Sequence, residues 1–208
     1  MRKILFSVLA SMMAGSAVMA TELTTANDEA NGSWVIQAQG GLNVIASSPG
    51  NWVTFGGVGY SAEGSFGYLF SPVFSLCLLT GYDSNPGAKP SGITGDHLAY
   101  TPFQVVGKFN FGGVDFSPYI TLGAGIALNA YGFDTASPTA SGTSNFTETD
   151  FLLSPGLGLS FPLAPKAQFF VQGRVDIDFF SNTFAKLIPF ETPQIFIPIQ
   201  AGLSFDVK

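Results

Sequence analysis

The sequence is short of charge, of cysteine, of histidine and of long apolar runs, and each shortage removes a class of protein. Only 11% of its 208 residues are Asp, Glu, Lys or Arg, whereas a soluble domain carries about 25–35% on its surface. Basic residues are the scarcer kind, 8 against 14 acidic. No phosphate-neutralising patch is available, and nucleic acid is excluded as a partner. Cys77 is the one cysteine and His97 the one histidine; no internal disulfide and no metal cluster can be assembled from them. After the first twenty residues no run approaches the roughly 20 apolar residues of a spanning helix. Yet 46% of the chain is apolar, 21 residues are Phe, and the mean hydropathy is +0.34. That composition also excludes disorder. A membrane protein built without helices remains.

The N-terminus reads as an export signal. Met1-Arg2-Lys3 is basic, Ile4 to Ala20 is apolar, and Val18-Met19-Ala20 has the small-residue pattern of a cleavage site. Cleavage before Thr21 leaves 6 basic residues against 14 acidic, a net charge of −8. Residues 1–20 are the signal peptide, 21–31 a flexible polar segment, and 32–208 one barrel domain.

From Trp34 onward apolar and small or polar residues alternate with period two, the mark of strands with unlike faces. In the last segment Ile195, Ile197, Ile199, Ala201, Leu203, Phe205 and Val207 share one face, against Gln194, Phe196, Pro198, Gln200, Gly202, Ser204 and Asp206. The same rule marks strands at 34–44, 52–70, 74–82, 103–111, 119–128, 151–161 and 169–180, eight in all. The second face is Gly, Ser, Thr, Gln and Asn with few charges. Such a face is too small-sided for an outer aqueous surface and suits the crowded inside of a narrow closed barrel. The apolar face then points outward, into lipid, the reverse of a lipocalin-like soluble barrel.

The connections alternate as well. Tight links fall at Ser71-Pro72, at 112–115 and at 164–167; longer ones run over 84–96, 133–147 and 181–192, with a shorter one at 47–51. In outer-membrane barrels short turns face the periplasm and long loops face outside, which puts both termini in the periplasm. Outward aromatics cluster near the short-turn end (Tyr68, Phe70, Phe74, Phe109, Phe111, Phe161, Phe169, Phe205) and near the long-loop end (Tyr82, Phe151, Phe179). These are two expected boundary belts. Pro102, Pro155 and Pro198 interrupt the strands, and bulges or segments above the lipid are expected to accommodate them.

The signal peptide, the strand 117–125 (SPYITLGAG) and the ending Gly202-Leu203-Ser204-Phe205-Asp206-Val207-Lys208 carry a resemblance to the small eight-stranded outer-membrane barrels, the outer-membrane protein A-type and porin-like superfamily. It covers residues 32–208. The resemblance implies an eight-stranded antiparallel up-and-down transmembrane barrel in the outer membrane of a Gram-negative-type cell, with outer-membrane lipid and the barrel-assembly machinery as partners. It implies no cofactor. Members usually end on an aromatic that the assembly machinery reads; here Phe205 stands early and Lys208 is last. They also carry charged pairs across the lumen. Glu63, Lys108, Arg174, Asp176 and Asp178 take inward positions by parity, and a Glu63–Arg174–Lys108–Asp176 network is expected, since buried charges are tolerated when paired.

Catalytic signals are weak. Gly56-Gly57-Val58-Gly59 and Gly123-Ala124-Gly125 precede no helix, so neither is a phosphate cradle. His97 beside Asp96, with Ser91, Ser137 and Ser181 in connecting segments, is the raw material of the lipid-modifying barrels, but nothing fixes a serine within reach of the histidine. The reading is a non-enzymatic barrel displaying surface loops. Its alternative is a narrow passage for small apolar solutes.

Overall fold

A computed structural model describes residues 32–46, 58–86, 97–112, 116–137, 140–179 and 193–207. The strands are β1 (Ser33–Ile45), β2 (Val58–Ser71), β3 (Phe74–Pro86), β4 (His97–Asn110), β5 (Ser117–Ser137), β6 (Ala140–Ala164), β7 (Ala167–Arg174), β8 (Asp176–Phe179) and β9 (Gln194–Val207). Each pairs antiparallel with its neighbour, and β9 returns to β1 to close the wall. β7 and β8 both pair with β6 on one side and β9 on the other. They are two halves of one strand, and the expected eight-stranded up-and-down barrel is what the chain forms.

Alternation sorts the side chains as period two requires. Gln194, Phe196, Pro198, Gln200 and Ser204 are buried, while Ile199, Leu203 and Phe205 are exposed. Leu157 and Leu78, on the outer face, are 69% and 64% exposed. Large apolar side chains dominate the outer face of the described wall, far beyond the patches a water-soluble monomer tolerates. β1 begins beside the end of β9, Trp34 opposite Val207, at the barrel end that carries the turns at 72–73 and 165–166.

Two expectations change. The segment 133–147 is not a loop: Phe133 pairs with Ser144 and Ser137 with Ala140, and the β5–β6 ladder runs unbroken to its tip. Its Ser, Thr, Gly and Asn composition hid the strands, because above the apolar band neither face needs an apolar residue. The prolines are also accommodated without bulges. Register is kept past all three, and the irregularities between β2 and β3 and between β6 and β7 lie at the tight turns instead. Residues 47–57, 87–96 and 180–192, with most of the expected long connections and the first part of the second strand, lie outside the described residues.

The break between β7 and β8 has a plain cause. The Val175 N–H donates to the Pro155 carbonyl (2.8 Å), and an unmodified ladder returns a bond from the residue opposite. Pro155 has no N–H to return. On the other side the Ala46 N–H donates to the Ile195 carbonyl. Alternation therefore turns the nitrogen of Pro198 toward Arg174, where it again offers no donor. Consecutive carbonyls, of Arg174 and Val175, thus face prolines. Pro102 does the same to Gly81: Asn110 donates to the Val73 carbonyl, which places the even-numbered nitrogens of β4 on the β3 side, and the β3–β4 pairing lapses at 81–82.

Candidate functional site in the barrel lumen

An eight-stranded barrel leaves an interior that side chains can fill, and here a charged knot fills its middle. Arg174 projects inward from the end of β7. Its Nη2 and Nη1 donate to Glu63 Oε1 (2.6 Å) and Oε2 (2.9 Å), and its Nε and Nη2 to Asp176 Oδ1 (2.6 Å) and Oδ2 (2.9 Å). Both pairs are at most 2% exposed. A guanidinium fork suits this double bidentate contact. The Tyr100 hydroxyl adds a bond to Asp176 Oδ2 (2.8 Å), and Gln39 donates to Glu63.

Below the knot lies a belt of amides. Gln172 Nε2 donates to Gln39 Oε1 and Gln200 Oε1 (3.0 Å each), Gln200 donates to Ser61 Oγ (2.9 Å), and the Tyr119 hydroxyl reaches Gln172 Oε1 (3.3 Å). Above it the lumen is filled differently. The rings of Tyr100 and Phe196 lie 4.7 Å apart, and both are fully buried, as are Leu98 and Leu152. On the turn side, glycines of the inner face make room for rings: a Cβ at Gly158 would strike the Tyr119 ring, and one at Gly202 the ring of Phe170.

Of the expected network, Glu63, Arg174 and Asp176 come together, whereas Lys108 and Asp178 stand outside it. The Lys108 ammonium rests over the Tyr119 ring, 3.9 Å from its centroid, on the turn side of the knot. Asp178 accepts from Asn129 Nδ2 (2.7 Å), which also donates to Asp150 (2.7 Å). Parity identified all five as inward but carried no information on their height in the lumen. The unforeseen members were Tyr100, Gln39 and Tyr119. Tyr119 and Gln172 lie on the small-residue face of their strands; Tyr100 lies before the point where alternation first marks that strand.

The aromatic residues also take definite places. Trp34, Phe66, Tyr68, Phe70, Phe74 and Phe109 form a chain of ring contacts at 4.8–5.8 Å around β1–β4. Phe161 and Phe169 pair at 6.2 Å farther round the same end, where Phe205 is exposed. Toward the other end Tyr60 faces Tyr82 (6.2 Å) and Phe151 faces Phe179 (5.8 Å). Trp34 and Tyr60 had not been assigned to belts.

His97 opens β4 opposite Gly132, and Ser137 lies five residues farther along β5, roughly 17 Å at strand rise. Ser91 and Ser181 lie outside the described residues. No group of three metal-binding side chains occurs among the described residues. Cys77 is buried on the inner wall.

No protein-family profile and no curated protein sequence matches the chain. Solved structures do. Neisserial surface protein A is 16% identical over 83% of this chain and 96% of its own, with a TM-score of 0.56. A major outer membrane protein from Thermus thermophilus is 10% identical over 84% and 98%, with a TM-score of 0.61. Ail, the attachment invasion locus protein of Yersinia pestis, solved with the heparin analogue sucrose octasulfate, is 15% identical over 85% and 99%, with a TM-score of 0.50. The chain has the fold of the small eight-stranded outer-membrane barrels.

Proposed function

We propose that the protein is a sealed outer-membrane anchor that displays its outer loops and the β5–β6 hairpin at the cell surface. The observation that carries this reading is the closed middle of the lumen: Arg174, Glu63, Asp176, Tyr100 and Phe196 are each no more than 6% exposed, so no file of water crosses at their level. The outer apolar face and its two aromatic tiers support a lipid setting, with Glu63, Lys108, Arg174, Asp176 and Asp178 inside. Residues 1–20 are removed on export, 21–31 remain in the periplasm beside the turns, and 32–208 are inserted by the barrel-assembly machinery. The barrel performs no catalysis. Purified, refolded protein in planar bilayers is expected to be electrically silent; steady single-channel steps would overturn the reading. Lipid A acyl patterns are expected to be the same with and without the protein.

A second reading has one specific observation in its favour, the ladder interruption at Arg174 and Val175. A wall that lacks donors from both neighbours at one height is the place where a small apolar solute would pass sideways into the bilayer. Liposome uptake of such solutes, lost on joining β6 to β7 by a disulfide at Leu157 and Gly173, would favour passage over anchoring.

A further inference from the structure

The knot divides the lumen, and on its turn side lies a cavity of about 20 Å³ whose lining includes Gln37, Ser65, Cys77, Lys108, Tyr119 and Thr121. That space holds one or two water-sized occupants, since a single one needs roughly 10–15 Å³. Arg174 also borders the cavity, and no carboxylate does. The two cations differ in one respect. Arg174 is answered by Glu63 and Asp176, while Lys108, only 9% exposed, has no ion pair among the described residues. Asp206, near the end of β9, acts on Lys108 electrostatically but stays beyond ion-pair distance. The Tyr119 ring at 3.9 Å and the Phe170 ring at 5.8 Å steady the ammonium without supplying a negative charge. A buried cation without a counter-charge is costly.

The neighbouring amides supply no negative charge, and their N–H groups are engaged within the belt, with Glu63 and with Ser204. Gln39 and Gln172 donate within the amide belt, and Gln37 accepts from Ser65 (3.0 Å) and donates to Ser204 (3.3 Å). What faces the cavity with capacity left is the Lys108 ammonium and the Thr121 hydroxyl. Both are donors. We propose that the cavity is a binding site for a small monovalent inorganic anion, chloride in the cell, held between Lys108 and Thr121. Tetrahedral oxyanions are too large for the space. The anion gives Lys108 a counter-charge, as Glu63 and Asp176 give Arg174 its own.

The test uses the full refolded barrel. Its Tm is expected to rise saturably, by about 3 °C, as sodium gluconate is replaced by sodium chloride at constant ionic strength, and K108M is expected to abolish the response. Crystals grown in sodium bromide are expected to show an anomalous peak between Lys108 Nζ and Thr121 Oγ1, a measurement that stands even where K108M fails to fold. T121V is expected to weaken the chloride midpoint several-fold. D206N separates the remaining possibility: chloride dependence is retained if the anion is the counter-charge and appears only in this variant if Asp206 is. A wild-type Tm indifferent to halide, or a cavity without bromide density, overturns the proposal.

Discussion

Two stretches of the same wall, built from the same kinds of residue, behave differently. The β1–β2 pair runs from Ser33 opposite Leu69 to Val44 opposite Val58 without interruption, whereas a strand across the lumen from β2 is cut at Val175 into β7 and β8. Glycine does not cause the cut, since the uninterrupted pair is the richer in it, and register is kept along the first and across the cut in the second. The difference is that Pro155 and Pro198 approach one strand from its two sides at adjacent positions. A single proline in a ladder costs one hydrogen bond; two placed this way leave consecutive carbonyls without strand donors. The inward side chain at the cut is Arg174, which reaches across the lumen to Glu63 on the intact side. The weakest point of the wall is thus tied by an ion pair to an unbroken one.

Breaking that tie is the largest expected effect. Arg174→Met strands two buried carboxylates and is expected to lower unfolding stability by about 3–5 kcal/mol, read by urea unfolding of the barrel in micelles. Adding Glu63→Gln and Asp176→Asn to it is expected to recover much of the loss, because the buried charges go with it. Tyr100→Phe removes one donor to Asp176 and is expected to cost about 1.5–3 kcal/mol; equal stability of the two proteins would show that this bond contributes nothing to the closed lumen. Smallest is the repair of the cut. Pro155→Val and Pro198→Ala each return a ladder N–H, worth about 0.5–1.5 kcal/mol and partly offset by a freer unfolded chain. Amide exchange at Arg174 and Val175 is expected to slow about tenfold in the double variant, with no change along β1.

Much of this barrel was legible in the alternation. Period two fixes which face a residue takes, so the outward positions of Ile199 and Leu203 and the inward positions of Glu63, Lys108 and Arg174 follow from spacing alone. Height within the lumen does not follow, because it depends on strand tilt and stagger. That is why Lys108 was expected in the knot and stands on Tyr119 instead. The ends of β5 and β6 were illegible for another reason: residues 133–147 are rich in Ser, Thr, Gly and Asn, and without apolar residues alternation carries no signal. Proline misled in a third way. Its missing donor was read as calling for a bulge or a place above the lipid; there is no bulge, and the ladder keeps its register and goes without the bond.

The length of β5 and β6 has a practical meaning. Beyond Leu128 and Thr149 each continues for about nine residues, roughly 30 Å at strand rise, as one unbroken ladder. A peptide inserted between Ser137 and Ala140, the last paired residues of that ladder, is therefore expected to leave the Arg174 knot undisturbed.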